Sequence, residues 1–424
     1  MTEASLDTRP QPTRLFRWMV LTVISFAAFG NYYVFDCIGP LANLLSKQLG
    51  FSDANIGLLQ AIYSFPNVVM VLIGGVIIDR IGTKKSTLIF GVICFVGASV
   101  TALTPTLPVM ATGRLIYGLG AESLTVAVTT AIARWFRGKE LSFGFGINLT
   151  LSRFGSLAAQ VSPTWAAWAY TSWTWPLYMA VAFATFCVIG ALGYWLLESL
   201  AERRYNLGTI KTDKVVLKDI FKFDRSYWYI VALCVTFYSG IFPFQTFAQK
   251  YFVEAHHASP KEASMLVGML TIFAMVGTPL FGLLVDRIGR RSLLMMFGSM
   301  LLIPVYLIMA YSDLPLGVPM AMMGIAFSLI PAVMWPSVAY VVDESRLGTA
   351  YGLMTMVQNI GLFGFNLLIG WANDTWHASA TNPGGYTAGM WMFSCLGLLG
   401  LLFASLLRRS DRARARELAM AATA

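Results

Sequence analysis

The chain has 424 residues, of which 57% are hydrophobic and only 12% are charged, and its formal net charge at pH 7 is +9. Soluble proteins carry about a quarter charged residues, so a water-soluble fold of this length would lack a polar surface. The composition therefore excludes a soluble enzyme and indicates a protein that crosses a membrane many times.

Apolar segments recur along the whole chain. A membrane helix needs about 20 mostly apolar residues, because the hydrocarbon core is about 30 Å thick and each helical residue rises about 1.5 Å. Twelve spans are predicted on this criterion, at 16–45, 55–78, 86–104, 108–135, 141–168, 174–197, 226–252, 262–285, 291–311, 315–342, 347–374 and 386–407. The first apolar segment lacks a convincing signal-peptide cleavage site, so we expect it to be retained.

A polar, basic stretch divides these spans into two groups of six. We predict an N-terminal six-helix bundle at 1–197, a cytoplasmic linker at 198–225 and a C-terminal six-helix bundle at 226–424. The segments outside the spans are too short to form a soluble catalytic module, so we expect no enzyme activity.

Basic residues are distributed unevenly between the two sides of the predicted membrane. With five exceptions, the 30 Lys and Arg residues lie in the tails, the linker and the loops of one side or at the adjoining ends of the spans. The exceptions are Lys47, Arg114, Arg153, Lys250 and Lys261. Lys and Arg favour cytoplasmic segments, so we predict that both termini are cytoplasmic. The net charge is then a topology signal, and we expect no nucleic-acid partner.

Residues that bind metals are few and scattered. The five cysteines lie within predicted spans without a CxxC pair, which favours free buried thiols. The three histidines fall in predicted outer loops. We therefore expect no metal and no cofactor.

Two pairs of segments repeat across the halves. GGVIIDRIGTKK (74–85) matches FGLLVDRIGRRS (281–292), and FGFGINLTLSRFG (143–155) matches TAYGLMTMVQNIG (349–361) at nearly the same offset. Two pairs at one offset indicate a duplicated six-span unit. Parallel repeats of this kind enclose a substrate site near the membrane midplane in transporters.

The first pair of segments carries charges at the predicted cytoplasmic side. The acidic residues suit helix ends, and the basic residues suit neighbouring carbonyls and lipid phosphates. We predict a role in gating and topology for four residues, Asp79, Arg80, Asp286 and Arg287. We do not expect them to contact substrate.

Four ionisable residues lie well inside the predicted spans, away from their ends: Asp36, Arg114, Glu122 and Arg153. A charge at the bilayer centre costs about 2.5–3.5 kcal/mol on insertion scales, so each is a hypothesis for a functional site. At helical rise, Glu122 lies roughly 21 Å from the outer end of span four, and Arg153 roughly 18 Å from the inner end of span five. Both are thus predicted near the membrane centre, on consecutive helices.

Polar stripes at helical spacing indicate a hydrated central cavity. The polar stripe of span seven includes Tyr238 and Gln245, and that of span eleven includes Asn359. Glu122 and Arg153 lie on the stripes of spans four and five, and their opposite charges suit the ammonium and carboxylate of a zwitterion. The alternative is a structural salt bridge between these two residues. For Arg114 a structural role is favoured.

The paired loops read G-x-x-x-D-R-x-G-[RK]-[RK], and span four contains Arg114 followed by Gly118 and Gly120. These motifs resemble the signature of the major facilitator superfamily along the whole chain. The first loop departs from the pattern at Thr83 and the second at Phe281. The resemblance implies an all-α membrane protein with the major facilitator fold, which has 12 transmembrane helices in two pseudo-symmetric six-helix bundles.

A narrower resemblance covers 113–156 and 335–362, together with Tyr33–Asp36 and Tyr63 in Tyr-Ser-Phe-Pro-Asn. These segments resemble the lysosomal dipeptide transporter branch of that superfamily. The resemblance implies that Glu122 and Arg153 bind the peptide and that Trp335 lines the site. The substrate-binding residues we expect are Glu122, Arg153, Trp335, Asn359, Tyr33, Asp36, Tyr63, Tyr238 and Gln245.

We therefore expect a secondary transporter that moves small zwitterions, above all dipeptides, by alternating access as a uniporter. The alternatives are a proton-coupled exporter of drugs or other small metabolites, with Glu122 as proton carrier, and a non-transporting sensor or partner-stabilising protein. The expected partners are a small-molecule substrate and the lipid bilayer. We expect a monomer, with an accessory subunit as the alternative. The N-terminal tail lacks an acidic-dileucine sorting motif, so we expect a cell membrane, such as a bacterial inner membrane, rather than a lysosomal one.

Overall fold

The computed structural model describes residues 10–136, 140–205, 223–343 and 346–423, so most of the predicted linker at 198–225 lies outside the described residues. The described chain is almost entirely helical. Its α-helices in chain order are α1 (Arg14–Asp36), α2 (Ile38–Leu49), α3 (Asp53–Ala61), α4 (Ser64–Thr101), α5 (Leu107–Phe136), α6 (Leu141–Gln160), α7 (Ser162–Trp165), α8 (Thr174–Arg204), α9 (Arg225–Ala255), α10 (Pro260–Ile288), α11 (Arg291–Tyr311), α12 (Gly317–Val341), α13 (Leu347–Thr375) and α14 (Thr387–Thr423).

Eleven segments of this described chain are long and apolar enough to cross a membrane. The predicted span that is missing from the eleven is the fifth, α6, whose apolar sequence is interrupted by Asn148, Arg153 and Gln160. The all-α membrane fold expected from composition is confirmed.

Three predicted spans are each built from two helices. α1 ends before α2 begins, α3 ends before α4 begins, and α6 ends before α7 begins. Pro40, Pro66 and Pro163 lie just beyond these breaks. Proline has no N–H to donate to the carbonyl four residues earlier, and its ring crowds that carbonyl. The spans are therefore broken near their predicted outer ends.

The repeated Asp-Arg-Ile-Gly motif produces the same kind of turn in both copies. Gly82 has a φ of 81° inside α4, and Gly289 has a φ of 65° at the end of α10. Left-handed backbone of this kind favours glycine, because other residues carry a Cβ that collides with the backbone. At the predicted cytoplasmic side, the glycine of the motif therefore kinks α4 in the first copy and ends α10 in the second.

The helices cluster into two compact units. Unit 1 comprises Met1–Phe35, Val69–Ala158 and Leu177–Thr212, and unit 2 comprises Asp36–Val68, Ala159–Pro176 and Asp213–Ala424. These boundaries differ from the predicted ones at 197 and 226, because α2, α3 and α7 pack with helices of the C-terminal half. The two six-span halves remain a prediction from the repeat.

In unit 2, α3 and α13 approach closely through two glycines. A Cβ at Gly57 would lie 2.4 Å from the carbonyl oxygen of Asn366, and a Cβ at Gly370 would lie 2.4 Å from that of Asp53. Only a residue without a side chain allows helix backbones to come this close in a membrane.

The same place holds a buried polar network. Lys250 on α9 donates to the Asp53 carboxylate, and these residues are only 4% and 2% exposed. Asn373 on α13 donates to the other Asp53 oxygen at 2.8 Å. The Asp374 carboxylate accepts hydrogen bonds from the Asp53 and Ala54 backbone amides, at 2.8 and 2.9 Å. An acidic side chain at a helix N-terminus is favourable, so α3, α9 and α13 are joined by charge as well as by packing.

Lys250→Met is expected to lower the melting temperature of the purified protein clearly, because the Asp53 carboxylate is then buried without its cation. Removing one partner of a buried ion pair costs about 3–5 kcal/mol. The double variant Asp53→Asn/Lys250→Met should regain part of this loss, since no unpaired charge remains. Exposed Lys261→Met is the matched control. Equal melting temperatures of Lys250→Met and the native protein would contradict the role given to the pair.

Candidate functional site

Glu122 on α5 and Arg153 on α6 are both half-buried in unit 1. Asn31 on α1 donates to the carbonyl of Ala121, the residue before Glu122, at 3.1 Å. The next residue, Tyr32, has its ring centroid 5.9 Å from the guanidinium carbon of Arg153. Because consecutive residues of α1 contact the two helices, Glu122 and Arg153 lie at the same level of unit 1.

A glycine allows α6 to reach α1 at this level. A Cβ at Gly155 would lie 2.1 Å from the carbonyl oxygen of Phe29, a distance that no real Cβ tolerates. The glycine therefore brings the backbone of α6 against α1, two residues from Arg153.

Glu122 makes no hydrogen bond or salt bridge with any residue in the part of the chain that the structure describes. The nearby hydroxyls of Thr125 and Thr129 donate to carbonyls of their own helix, at 3.1 and 3.0 Å. The alternative of a structural Glu122–Arg153 salt bridge is thus not formed in this state. The carboxylate is left available to a ligand.

Arg114 has a different environment and is only 1% exposed. Its guanidinium donates to the carbonyl oxygens of Val34 at 2.8 Å and Phe35 at 3.3 Å, in the last turn of α1. Carbonyls at a helix C-terminus lack intrahelical partners and carry the negative end of the helix dipole. Arg114 therefore stabilises the end of α1, which agrees with the favoured structural role.

In unit 2, Trp335 on α12 is held in an aromatic cluster. Its indole Nε1 donates to the hydroxyl of Tyr238 at 2.9 Å, and its carbonyl accepts a hydrogen bond from Tyr351 at 3.2 Å. The rings of Trp335 and Tyr351 are stacked with centroids 6.0 Å apart, and Tyr238 stacks on Phe242 at 5.6 Å. Three helices thus position one indole and two phenols together.

Two predicted amide residues of unit 2 keep unused hydrogen-bonding atoms. Gln245 on α9 is 6% exposed, and neither amide atom has a partner among the described residues. Asn359 on α13 is 1% exposed; it donates to the Thr355 carbonyl at 3.0 Å, but its Oδ1 likewise has no partner in the described chain. A buried amide without a partner costs free energy, so both can gain from a polar ligand.

The structure places the other predicted binding residues as follows. Tyr33 is buried, with its ring stacked on Phe183 at 3.8 Å and 4°. Tyr63 lies in the short connection between α3 and α4 and is buried, and Asp36 is half-buried at the end of α1. The roles of these three residues in binding stay predictions. Sequence reasoning missed Tyr32, whose ring contacts Arg153. Tyr32 is next to Tyr33 in the sequence, but it lies on a different side of α1, because a helix turns about 100° per residue.

The predicted gating residues lie at helix ends. Asp79, Arg80 and Arg287 are exposed, and Asp286 lies outside the residues whose side chains the structure describes. Their gating role stays a prediction. The residues around them also make contacts, which the sequence did not indicate.

These additional contacts join the first copy of the loop to α8. Thr83 lies 2.9 Å from the Tyr194 hydroxyl and donates to Glu198. Lys84 forms a salt bridge with Glu202 at 2.7 Å. The departure from the family pattern at Thr83 therefore places a small hydroxyl, rather than a long basic side chain, in a buried position.

Polar and ionisable groups inside membrane spans mark substrate and ion pathways, as in transporters. A family model described as Major Facilitator Superfamily matches residues 24–252 and 244–423. The chain belongs to this superfamily. It is a multi-pass membrane protein and a secondary transporter of a small-molecule substrate.

Named relatives share most of its length. The "Lysosomal dipeptide transporter MFSD1" of Danio rerio is 34% identical over 365 residues, covering 82% of this chain and 78% of the relative. The Homo sapiens protein of the same name is 31% identical over 379 residues, covering 86% and 82%. The resemblance stated from the sequence is confirmed.

Solved structures share the fold. A bacterial homolog of the human lysosomal transporter Spinster superposes with a TM-score of 0.75 at 16% identity, covering 94% of this chain and 98% of that one. The nucleoside transporter NupG superposes with a TM-score of 0.71 at 15% identity, covering 94% and 99%. The major facilitator fold expected from the sequence is confirmed.

Arg114→Gln is expected to destabilise the protein whether or not substrate is present, because the carbonyls of Val34 and Phe35 lose a charged donor. A hydrogen bond to a charged group contributes about 1.5–3 kcal/mol. The measurement is the melting temperature of the purified variant, with exposed Arg203→Gln as control. An unchanged melting temperature with lost substrate binding would instead make Arg114 a binding residue.

Proposed function

We propose that the protein moves small zwitterions, most directly dipeptides, across the membrane by alternating access. The observation that carries this proposal is the arrangement of Glu122 and Arg153. An acid and a base lie at one level of unit 1, and the acid has no partner in the described chain. The named dipeptide-transporting relatives support the same substrate class.

The two ends of a dipeptide suit these two side chains. Glu122 receives the ammonium group, and Arg153 holds the carboxylate through two parallel N–H donors. A dehydrated charge needs an opposite charge and hydrogen bonds. A solute with only one charged end therefore gains less binding free energy from this pair than a dipeptide does. Recognition of the ends tolerates many side chains between them.

The predicted binding residues of unit 2 also offer groups that suit a peptide. The unused amide atoms of Gln245 and Asn359 can bond the N–H and carbonyl of a peptide bond. The indole of Trp335, fixed by Tyr238 and Tyr351, offers an apolar face for a side chain. Small-molecule sites are mostly of this kind, with apolar walls and few polar groups.

Glu122→Gln and Arg153→Gln are each expected to lower dipeptide uptake into proteoliposomes tenfold or more, because each removes a charge-assisted hydrogen bond that contributes about 1.5–3 kcal/mol. The exposed surface variants Asp313→Asn and Arg203→Gln are the matched controls and should transport normally. Native-like uptake in both site variants would contradict the proposed role of Glu122 and Arg153.

Two coupling modes are compatible with this site. We propose uniport, in which the substrate's ammonium neutralises Glu122. The second candidate is proton-coupled export of drugs or other small metabolites with Glu122 as the proton carrier. It is favoured by one observation: Glu122 has no partner in the described residues, and lone carboxyl groups in transporter helices serve as proton relays.

Uniport predicts that dipeptide uptake leaves the internal pH of the proteoliposomes unchanged and that an imposed pH gradient does not accelerate it. A pH-sensitive dye enclosed in the vesicles measures this directly. Substrate-driven acidification that disappears in Glu122→Gln would establish proton coupling instead. Asp313→Asn serves as the control carboxylate variant.

For cellular placement we propose a monomer in a cell membrane, such as a bacterial inner membrane, with both termini in the cytoplasm. The distribution of Lys and Arg supports the cytoplasmic placement of both termini.

A further inference from the structure

Unit 2 contains a cavity at the predicted cytoplasmic ends of its helices. Its volume is about 880 Å³, and its walls come from the 289–293 turn and the nearby ends of α9, α12 and α14. This volume falls within the range of about 300–1,000 Å³ that is typical of small-molecule sites. The cavity lies in unit 2, whereas Glu122 and Arg153 lie in unit 1, so the inference drawn from it is independent of the proposed transport site.

The cavity is lined by four arginines: Arg290, Arg291, Arg408 and Arg412. Among its lining residues, all of them in the described part of the chain, Asp411 supplies the one carboxylate. Guanidinium groups present planar forks of N–H donors that match phosphate oxygens. Like charges gathered in one cavity repel each other, so the lining is suited to an anion.

The first copy of the repeat shows the contrast. In unit 1, two loop residues contact carboxylates of α8. Lys84 pairs with Glu202, and Thr83 donates a hydrogen bond to Glu198, which precedes Glu202 by four residues. In unit 2, the last helix of the half instead carries Arg408 and Arg412, also four residues apart. Beside the second loop, the last helix of unit 2 thus brings two cations and one carboxylate, Asp411, where the last helix of unit 1 brings the two carboxylates Glu198 and Glu202.

Backbone and side-chain geometry add to the positive field. Residues 290–293, which line the cavity, form the start of α11, and no side chain caps that start. First-turn N–H groups and the positive end of the helix dipole attract anions. Arg291 is held in place by Tyr340, with its guanidinium carbon 3.7 Å from the ring centroid and a 2.8 Å hydrogen bond to the hydroxyl.

We infer that this arginine cavity binds a phosphate group. The phosphate belongs to an anionic lipid headgroup or to a soluble phosphate compound, since both present the same oxygens. Basic pockets between membrane helices on the cytoplasmic side are suited to such groups. The bound phosphate offsets part of the positive charge of the arginines and stabilises the ends of α11, α12 and α14 against one another.

The test is the melting temperature of the full-length protein in a neutral detergent. The additions are phosphatidylglycerol, phosphatidylcholine, inorganic phosphate and glycerol 3-phosphate, with sodium chloride for ionic strength. The native protein should gain about 3 °C or more from phosphatidylglycerol over phosphatidylcholine. A comparable gain from either soluble phosphate identifies a soluble ligand, and a gain from the lipid alone identifies the headgroup.

The double variant Arg290→Gln/Arg412→Gln should lose this gain, while Arg290→Lys/Arg412→Lys should keep part of it. Both arginines are exposed, so the variants are expected to fold. The matched control is Arg203→Gln/Arg204→Gln, which removes two exposed arginines from unit 1. Equal stabilisation by both lipids without any response to phosphate would overturn the inference. So would an equal loss of the gain in the site variant and the control, because the effect would then be one of general surface charge.

Discussion

A polar group inside the hydrocarbon core cannot bond to water, and this constraint governs where the chain places its charges. Where α1 breaks ahead of Pro40, the guanidinium of Arg114 bonds the carbonyls of Val34 and Phe35. Where α3 begins, Lys250 pairs with Asp53. The first arrangement satisfies carbonyls that a break in a membrane helix exposes, and the second neutralises a carboxylate buried at the start of a helix.

The same constraint separates structural charges from those that can act on a substrate. Arg114 and Lys250 are buried and have partners within their units. Glu122, Gln245 and Asn359 keep carboxylate or amide atoms without a partner in the described chain. Groups left in this condition gain most from a ligand with complementary polar atoms. The contrast between these two sets is the physical reason for proposing Glu122, Gln245 and Asn359, each within its own unit, as binding residues.

Much of this organisation could be predicted from the sequence, because apolar length and repeated motifs report it directly. The Asp-Arg-Ile-Gly repeats predict the turns at Gly82 and Gly289, and the apolar runs predict the helices. The pairing of Asp53 with Lys250 could not be predicted, since the two residues are distant in sequence and each lies near the end of a span. Opposite charges at the same predicted membrane level were the available signal. Tyr32 was missed because a helix turns about 100° per residue, which no motif records.

Recognition of both charged ends is the central claim, and ligand analogues test it most directly. The measurement is the melting temperature of purified protein with alanyl-alanine, its N-acetyl form and its C-terminal amide at equal concentrations. The account predicts stabilisation by the free dipeptide and little by either blocked form. In Glu122→Gln the preference for a free amino end should disappear, and in Arg153→Gln the preference for a free carboxylate should disappear. Equal stabilisation by all three ligands, or unchanged preferences in the variants, would contradict the claim.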